Sequence, residues 1–380
     1  MTPTLWAWHE TVEAGALAAR FDAWRAARPS LTILALASEH TPAAVPVLQA
    51  AANAAGLPLA GALVPGLIAG GAISRHGVLL LALDAAVPLR IVPLPRSGDR
   101  TDPAAADELA AFALGHAADD GGDTLLLLVD ATTPDVASLL DQLYLNLGNQ
   151  VRYAGSNVGS ETFRPVPCVF DNQRLVGDAA LAVVLPRHPG ATLAHRYGRS
   201  APLSMATASR GNRIAVIDGR PAFDAYRDLI GAAHGVTLTR ENFYRHAVHF
   251  PLALHLAQGE PLVRIPVAVD DDGSLVCAGE VPDAALLSVV EAAPPDSPET
   301  AQAVAAAVRP HQPAAVLAFY CGGRLLHHGE AAANAELAEL HGALGGAPLF
   351  GCLSLGEIAN YEGAGYPRFH NATLVALPWT

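Results

Sequence analysis

The run Leu31–Ala37 (LTILALA) is unbroken apolar sequence of strand length. Thr41-Pro42 then predicts a helix start, with the Pro at its first position, and an Ala-rich stretch carries the helix to about Ala55, where Gly56 closes it. Leu59–Val64 (LAGALV) predicts a second strand, and Gly77–Leu83 (GVLLLAL) a third after a Gly-rich loop. The order is β-α-β-loop-β. It recurs as Thr124–Val129, a helix from Thr133-Pro134 to about Leu147, Val151–Ser156, a loop, and the pair Pro167–Val176 and Ala179–Leu185. Near the end it recurs again as Ala314–Tyr320, a helix over Ala331–Leu344, Pro348–Cys352, a long loop and Asn371–Leu377. Between these copies Leu193–Ser209 is strand-rich, Asn212–Asp218 is a short strand and Pro221–Gly231 a helix; Glu291–Pro298 is a loop leading to the helix Glu299–Arg309.

The expected fold is therefore α/β, with repeated βαββ units forming two related domains with mixed sheets, 1–219 and 220–380, cut near Asp218–Pro221. The best echo between copies aligns Pro58–Ile68 with Pro348–Ile358, so that Gly61 matches Gly351 and Gly66 matches Gly356. Glycine at such positions marks a sharp turn or a close backbone approach. In the second copy the residue after the second glycine is an acid, Glu357.

Composition narrows the chemistry. Hydrophobic residues make up 51% of the 380 positions, charged residues 16%, and mean hydropathy is +0.29, which excludes a disordered chain. All 23 basic residues are Arg. Without Lys there is no phosphate-binding P-loop, no kinase phosphate Lys and no Schiff base. A net charge of −13 with no Arg cluster argues against nucleic acid as a partner. Thr41–Ser74 lacks Asp, Glu and Arg, but its prolines and glycines cut it into pieces too short to span a bilayer, so no membrane is expected. The start carries Glu10 and Glu13 and does not read as a secretory signal. Cys168, Cys277, Cys321 and Cys352 are too far apart for a C-x-x-C pair, which fits a reduced, cytoplasmic location.

With these elements in place, the chain resembles FIST-domain proteins, a sensory module of intracellular signal transduction with an N-terminal and a C-terminal part. The resemblance covers most of the chain. It is carried by Pro58–Ile68, Gly155-Ser156-Asn157, Asp218–Ala222, Phe319-Tyr320-Cys321-Gly322-Gly323-Arg324, Gly351–Ile358 and Phe369-His370-Asn371-Ala372-Thr373-Leu374. What it implies is binding of a small, amino-acid-like ligand; some members look like haem-binding nitric oxide sensors. No output module is visible in these residues, so a separate signalling partner protein is expected.

Candidate site residues follow from the same motifs. Cys321 and Arg324 sit just after a strand end, where α/β sheets bind ligands, and an Arg forks onto a carboxylate. Ser354, Glu357, His370 and Asn371 are expected to form the polar floor of the same pocket, and the Gly155-Ser156-Asn157 loop to cradle an anion through its amides. In the bland alternative these are a packed Cys, a structural Arg and turn-capping polar groups. An enzyme is not expected; the rival is a Cys-dependent hydrolase using Cys321 or Cys352 with His370. His246, His249 and His255 form the densest histidine group but lack a metal-ligand motif, and no metal or cofactor is expected. For the haem alternative, His188 and His195 are the histidines in the right segment.

Overall fold

A computed structural model of the chain describes residues 5–379 apart from 85–86, 99, 119, 200, 258–259, 292–293, 295–296 and 361–364. Four residues of the tract Glu291–Pro298 thus lie outside the described residues. Each apolar repeat has the expected centre. In the first, Leu31–Ser38 and Leu59–Val64 pair in parallel around the helix Ala44–Ala55, and Val78–Asp84 returns antiparallel to Leu31–Ser38. In the second, the corresponding elements are Asp123–Asp130, Val136–Leu147, Val151–Val158 and Ala179–Leu185. In the third they are Ala315–Cys321, Glu330–Ala343, Leu349–Ser354 and Leu374–Trp379.

Each repeat also opens with a strand and a helix: Leu5–His9 with Ala14–Ala27, Leu89–Pro93 with Pro103–Leu114, and Thr192–Ala194 with Glu299–Val308. The leading strand pairs with the return strand of its own repeat. The mixed α/β architecture is as expected, and the βαββ unit occurs three times, at the three copies read from the sequence.

The loop before each return strand is a hairpin, and that hairpin leaves its own repeat. Leu67–Ala69 with Ala72–Ser74 extends the third repeat's sheet at Leu349–Ser354. Glu357–Asn360 with Pro367–His370 extends the second at Val151–Val158. Val169–Asp171 with Leu175–Val176 extends the first at Leu59–Val64. The exchange is cyclic and completes three six-stranded sheets. Equivalent bonds tie the crossings: Leu63 N–H to Cys168 O at 2.7 Å, Asn157 N–H to Gly356 O at 2.7 Å, and Leu353 N–H to Gly66 O at 2.9 Å.

The echo of Gly61 and Gly351 has a physical cause, and Gly155 is its third member. These three residues oppose Ala35, Ala318 and Leu127 in the parallel pairs, and a methyl group at any of them would overlap the facing carbonyl oxygen. Burial alternates along the central strands. Leu126 and Leu128 join Leu317, Phe319 and Phe350 in a core shared by the three sheets, whereas Leu125, Leu127 and Val129 pack beneath the second repeat's helices. This two-sided burial is why the strands read as continuous apolar runs.

Between Thr192–Ala194 and Glu299–Val308 the chain inserts a nine-stranded sheet covered by the helix Ala222–His234. The expected cut near Asp218–Pro221 falls inside this sheet, where Arg213–Ile217 pairs with Arg220–Pro221. Strands from before residue 219 also belong to the third repeat's sheet. Thr41 does not cap the second helix, which starts at Ala44; its hydroxyl instead accepts the Gly77 amide at 3.0 Å. Among the described residues no helix is long and apolar enough to cross a membrane.

Candidate functional site

The hairpin exchange assembles the polar residues of the third repeat against the second. Ser156, Glu357 and His370 stand side by side on three adjacent strands, because Ser156 pairs with Glu357 and Glu357 with His370. Ser354, three residues before Glu357, lies opposite Cys321. Glu357 is fully buried and accepts from Ser354 Oγ, from Thr373 Oγ1 at 2.6 Å and from the Thr373 amide at 3.3 Å. Burial pushes its carboxyl up to about 7, against the lowering effect of those hydrogen bonds. The Cys321 sulfur accepts the Ala372 amide at 3.0 Å, and burial, then the neighbouring Glu357, holds its thiol far above the usual range. His370 is also buried; desolvation, then Arg264 and His195, pushes it down to about 3, and its Nε2 has no partner. Asn371 is buried with an unpartnered Oδ1.

Arg324, expected to fork onto a ligand, forks onto the protein. Its Nε and Nη2 bind both carboxylate oxygens of Glu336 at 2.8 and 2.5 Å. Nη1 donates to His195 O at 3.0 Å and Ala372 O at 3.4 Å, and Nη2 also to Thr300 Oγ1 at 3.0 Å. With every nitrogen engaged and 1% exposure, this guanidinium joins the short helix Gly322–His328 to its neighbours. The expected strand-end pocket is thus a closed, hydrogen-bonded cluster. Cys321, Arg324, Ser354, Glu357, His370 and Asn371 line neither of two neighbouring cavities.

A cavity of about 630 Å³ lies between the second repeat and the inserted sheet, walled by Thr132–Pro134, Glu161–Phe163, Val267, Cys277–Gly279 and Phe369. Asn157 lines it. Gly155-Ser156-Asn157 is not the loop its composition suggested but the buried end of the strand Val151–Val158. The hydroxyl of Ser156 donates to Asn157 O at 3.0 Å. The Asn157 side chain is 3% exposed, its Oδ1 has no partner, and its Nδ2 donates to no described protein group. Buried carboxamides are ordinarily hydrogen-bonded, so an unpaired one facing a cavity marks a place for a ligand.

A larger cleft of about 1850 Å³ adjoins it, and Arg96, Pro134, Asn212 and Phe369 line both. Phe369, on the exchanged hairpin, is fixed between two glycines. A methyl group on Gly356 or on Gly279 would strike its ring, and both have positive φ, 147° and 96°. The Arg264 guanidinium lies over the same ring at 5.7 Å. Sequence reading missed Arg264 and Gly279; a lone Arg within the apolar run Leu262–Val267 was the available signal.

The haem alternative does not fit its histidines. His195 accepts the Tyr197 amide at Nδ1, at 2.9 Å, and its Nε2 meets Pro261 O at 3.2 Å and the Glu260 carboxylate at 3.4 Å. His188 engages the Gly190 amide and Thr124 through Nδ1, and its ring packs edge-on to Trp379 at 5.9 Å. Neither lines either cavity. Of the other histidines, His249 meets His327, Nδ1 to Nδ1, at 3.0 Å.

Residues 31–220 match the sequence profile of the FIST N domain, and residues 222–360 that of the FIST C domain. No curated protein matches the chain.

Proposed function

The chain belongs to the FIST family, whose domains are sensory domains of signal transduction, and from that premise we propose that it senses a small, amino-acid-like ligand in the cavity at Asn157. The unpaired Asn157 carboxamide carries this reading. Its oxygen accepts from an ammonium group and its nitrogen donates to a carboxylate, so one side chain suits both ends of a zwitterion. Arg96 and Glu161 on the cavity wall are already paired within the protein, with Asp178 at 2.6 Å and Arg75 at 2.9 Å, which leaves the polar recognition to Asn157.

Because the walls come from the second repeat and the inserted sheet, a ligand held between them favours one relative placement of the two. That differential affinity is what a sensor needs to signal. The output passes to a separate partner protein. The buried, high-pKa thiols of Cys321 and Cys352 support binding over Cys-dependent hydrolysis, since a thiolate is the nucleophile.

The test is calorimetric titration of the standard amino acids into the full chain and into Asn157→Leu. Saturable binding of at least one, weakened roughly tenfold or more in the variant, is the expected result. Binding that Asn157→Leu leaves unchanged, or none across the set, overturns the assignment.

A further inference from the structure

Charges around the larger cleft are unevenly satisfied. Each carboxylate that lines it is already held by the protein: Asp135 by Thr101, Asp141 by Tyr366, Asp270 by Arg213, Glu280 by Ser138, and Asp102 and Asp283 by backbone amides. Among the described residues, Arg100, Arg210, Arg264 and Arg368 line the same cleft and pair with no carboxylate.

Arg264 is the decisive one. It is 2% exposed, and its guanidinium finds only neutral backbone oxygens: Nε donates to Glu280 O at 2.8 Å, and Nη1 to Val263 O at 3.0 Å and Phe369 O at 3.1 Å. Its Nη2 donates to no described protein group. Burial lowers its pKa to about 10. The contrast with Arg324 is internal to the chain. Where a buried guanidinium is structural, the fold supplies a two-point carboxylate, Glu336; at Arg264, which lines a cleft, it supplies none. A buried cation without a counter-charge is costly, and a charged ligand supplies what the fold omits. The nearest acid, Glu280, is turned to the Ser138 hydroxyl and amide and is not within ion-pair distance.

We infer that the cleft is a binding site for a small organic anion with two or more negative charges, one group on Arg264 and the others on Arg210 and Arg368. The class comprises phosphate esters and polycarboxylates. The site adjoins the Asn157 cavity but does not depend on it, so Asn157→Leu retains anion binding and the two readings fail separately.

Pyrophosphate and citrate serve as probes, titrated calorimetrically into the full chain with ionic strength held constant by sodium chloride. Saturable binding of one or both is expected, and which binds tells phosphate from carboxylate chemistry. Arg264→Met is expected to weaken it roughly tenfold or more, and the pair Arg210→Gln, exposed, with Arg368→Gln, half-buried, to do the same in part. Should Arg264→Met fail to fold, that pair decides. No saturable heat from either probe, or binding that these substitutions leave untouched, overturns the inference.

Discussion

Replacing Glu357 with Gln separates its protonation from its packing. The side chain keeps its size and no longer titrates; its amide oxygen still accepts from Thr373, while its amide nitrogen donates to Ser354 Oγ, reversing that one bond. In the folded chain burial raises this carboxyl from 4.5 to about 7. Below about pH 4.5 folded and unfolded chains both hold the proton, so the group favours neither. Between 4.5 and 7 the folded chain keeps a proton that the unfolded chain releases, and stability falls as pH rises; above 7 the loss is complete. A rise from 4.5 to about 7 amounts to about 3 kcal/mol. The buried histidines act in the opposite direction. His188, His327 and His328 are pushed down to about 4 and His370 to about 3, so the stability they confer is lost as pH falls from 6.5 through those values. That contribution is common to both proteins and cancels on subtraction. Urea unfolding followed by tryptophan fluorescence between pH 5 and pH 8 should show Glu357→Gln gaining on the parent by about 2.5 kcal/mol across the range, the rest of the change lying below pH 5. Parallel profiles, within about 0.5 kcal/mol, would mean that Glu357 ionises normally in the fold and would refute the burial argument.

Gly155→Ala and Gly351→Ala each drive a methyl into a facing carbonyl and should cost roughly 2 kcal/mol or more, whereas Gly15→Ala, in open space on a helix, should gain up to about 1 kcal/mol. Equal, small effects on the urea midpoint at all three positions would contradict the close approach. The four free cysteines are buried, so a chromogenic disulfide reagent at pH 8 should react with them slowly in the folded chain and with all of them in guanidinium. Rapid reaction of Cys321 or Cys352 in the folded chain would favour the hydrolase reading instead.

The central strands were legible because burial on both faces leaves continuous apolar runs such as Thr124–Val129. The glycine echo was legible because it records a steric demand that recurs at Gly61 and Gly351; Gly155 escaped because Ser156 and Asn157 give a buried strand end the composition of a loop. Leading strands such as Leu89–Pro93 and Thr192–Ala194 are short or partly exposed and carry little pattern. Motif order brought Cys321, Ser354, Glu357 and His370 into one neighbourhood correctly, since they close the strands of one repeat. Their state was not legible. Whether an Arg is free or spoken for depends on a partner elsewhere: Glu336 saturates Arg324 from the next helix, while among the described residues no carboxylate pairs with Arg264. Sequence spacing carries no trace of that difference.

The circular loan of hairpins sets a stoichiometry. One repeat taken by itself has a sheet that lacks two strands and a hairpin that lacks a host, and joining two repeats leaves one of each unmatched. Only three close the account. A gene encoding a single repeat would meet that condition by assembling as a ring of three identical chains, and fusing three such copies end to end would yield the present arrangement. In the fused chain each copy is then released from identity, so one strand end can keep Leu63 or Leu353 while its counterpart becomes Asn157 and takes on recognition.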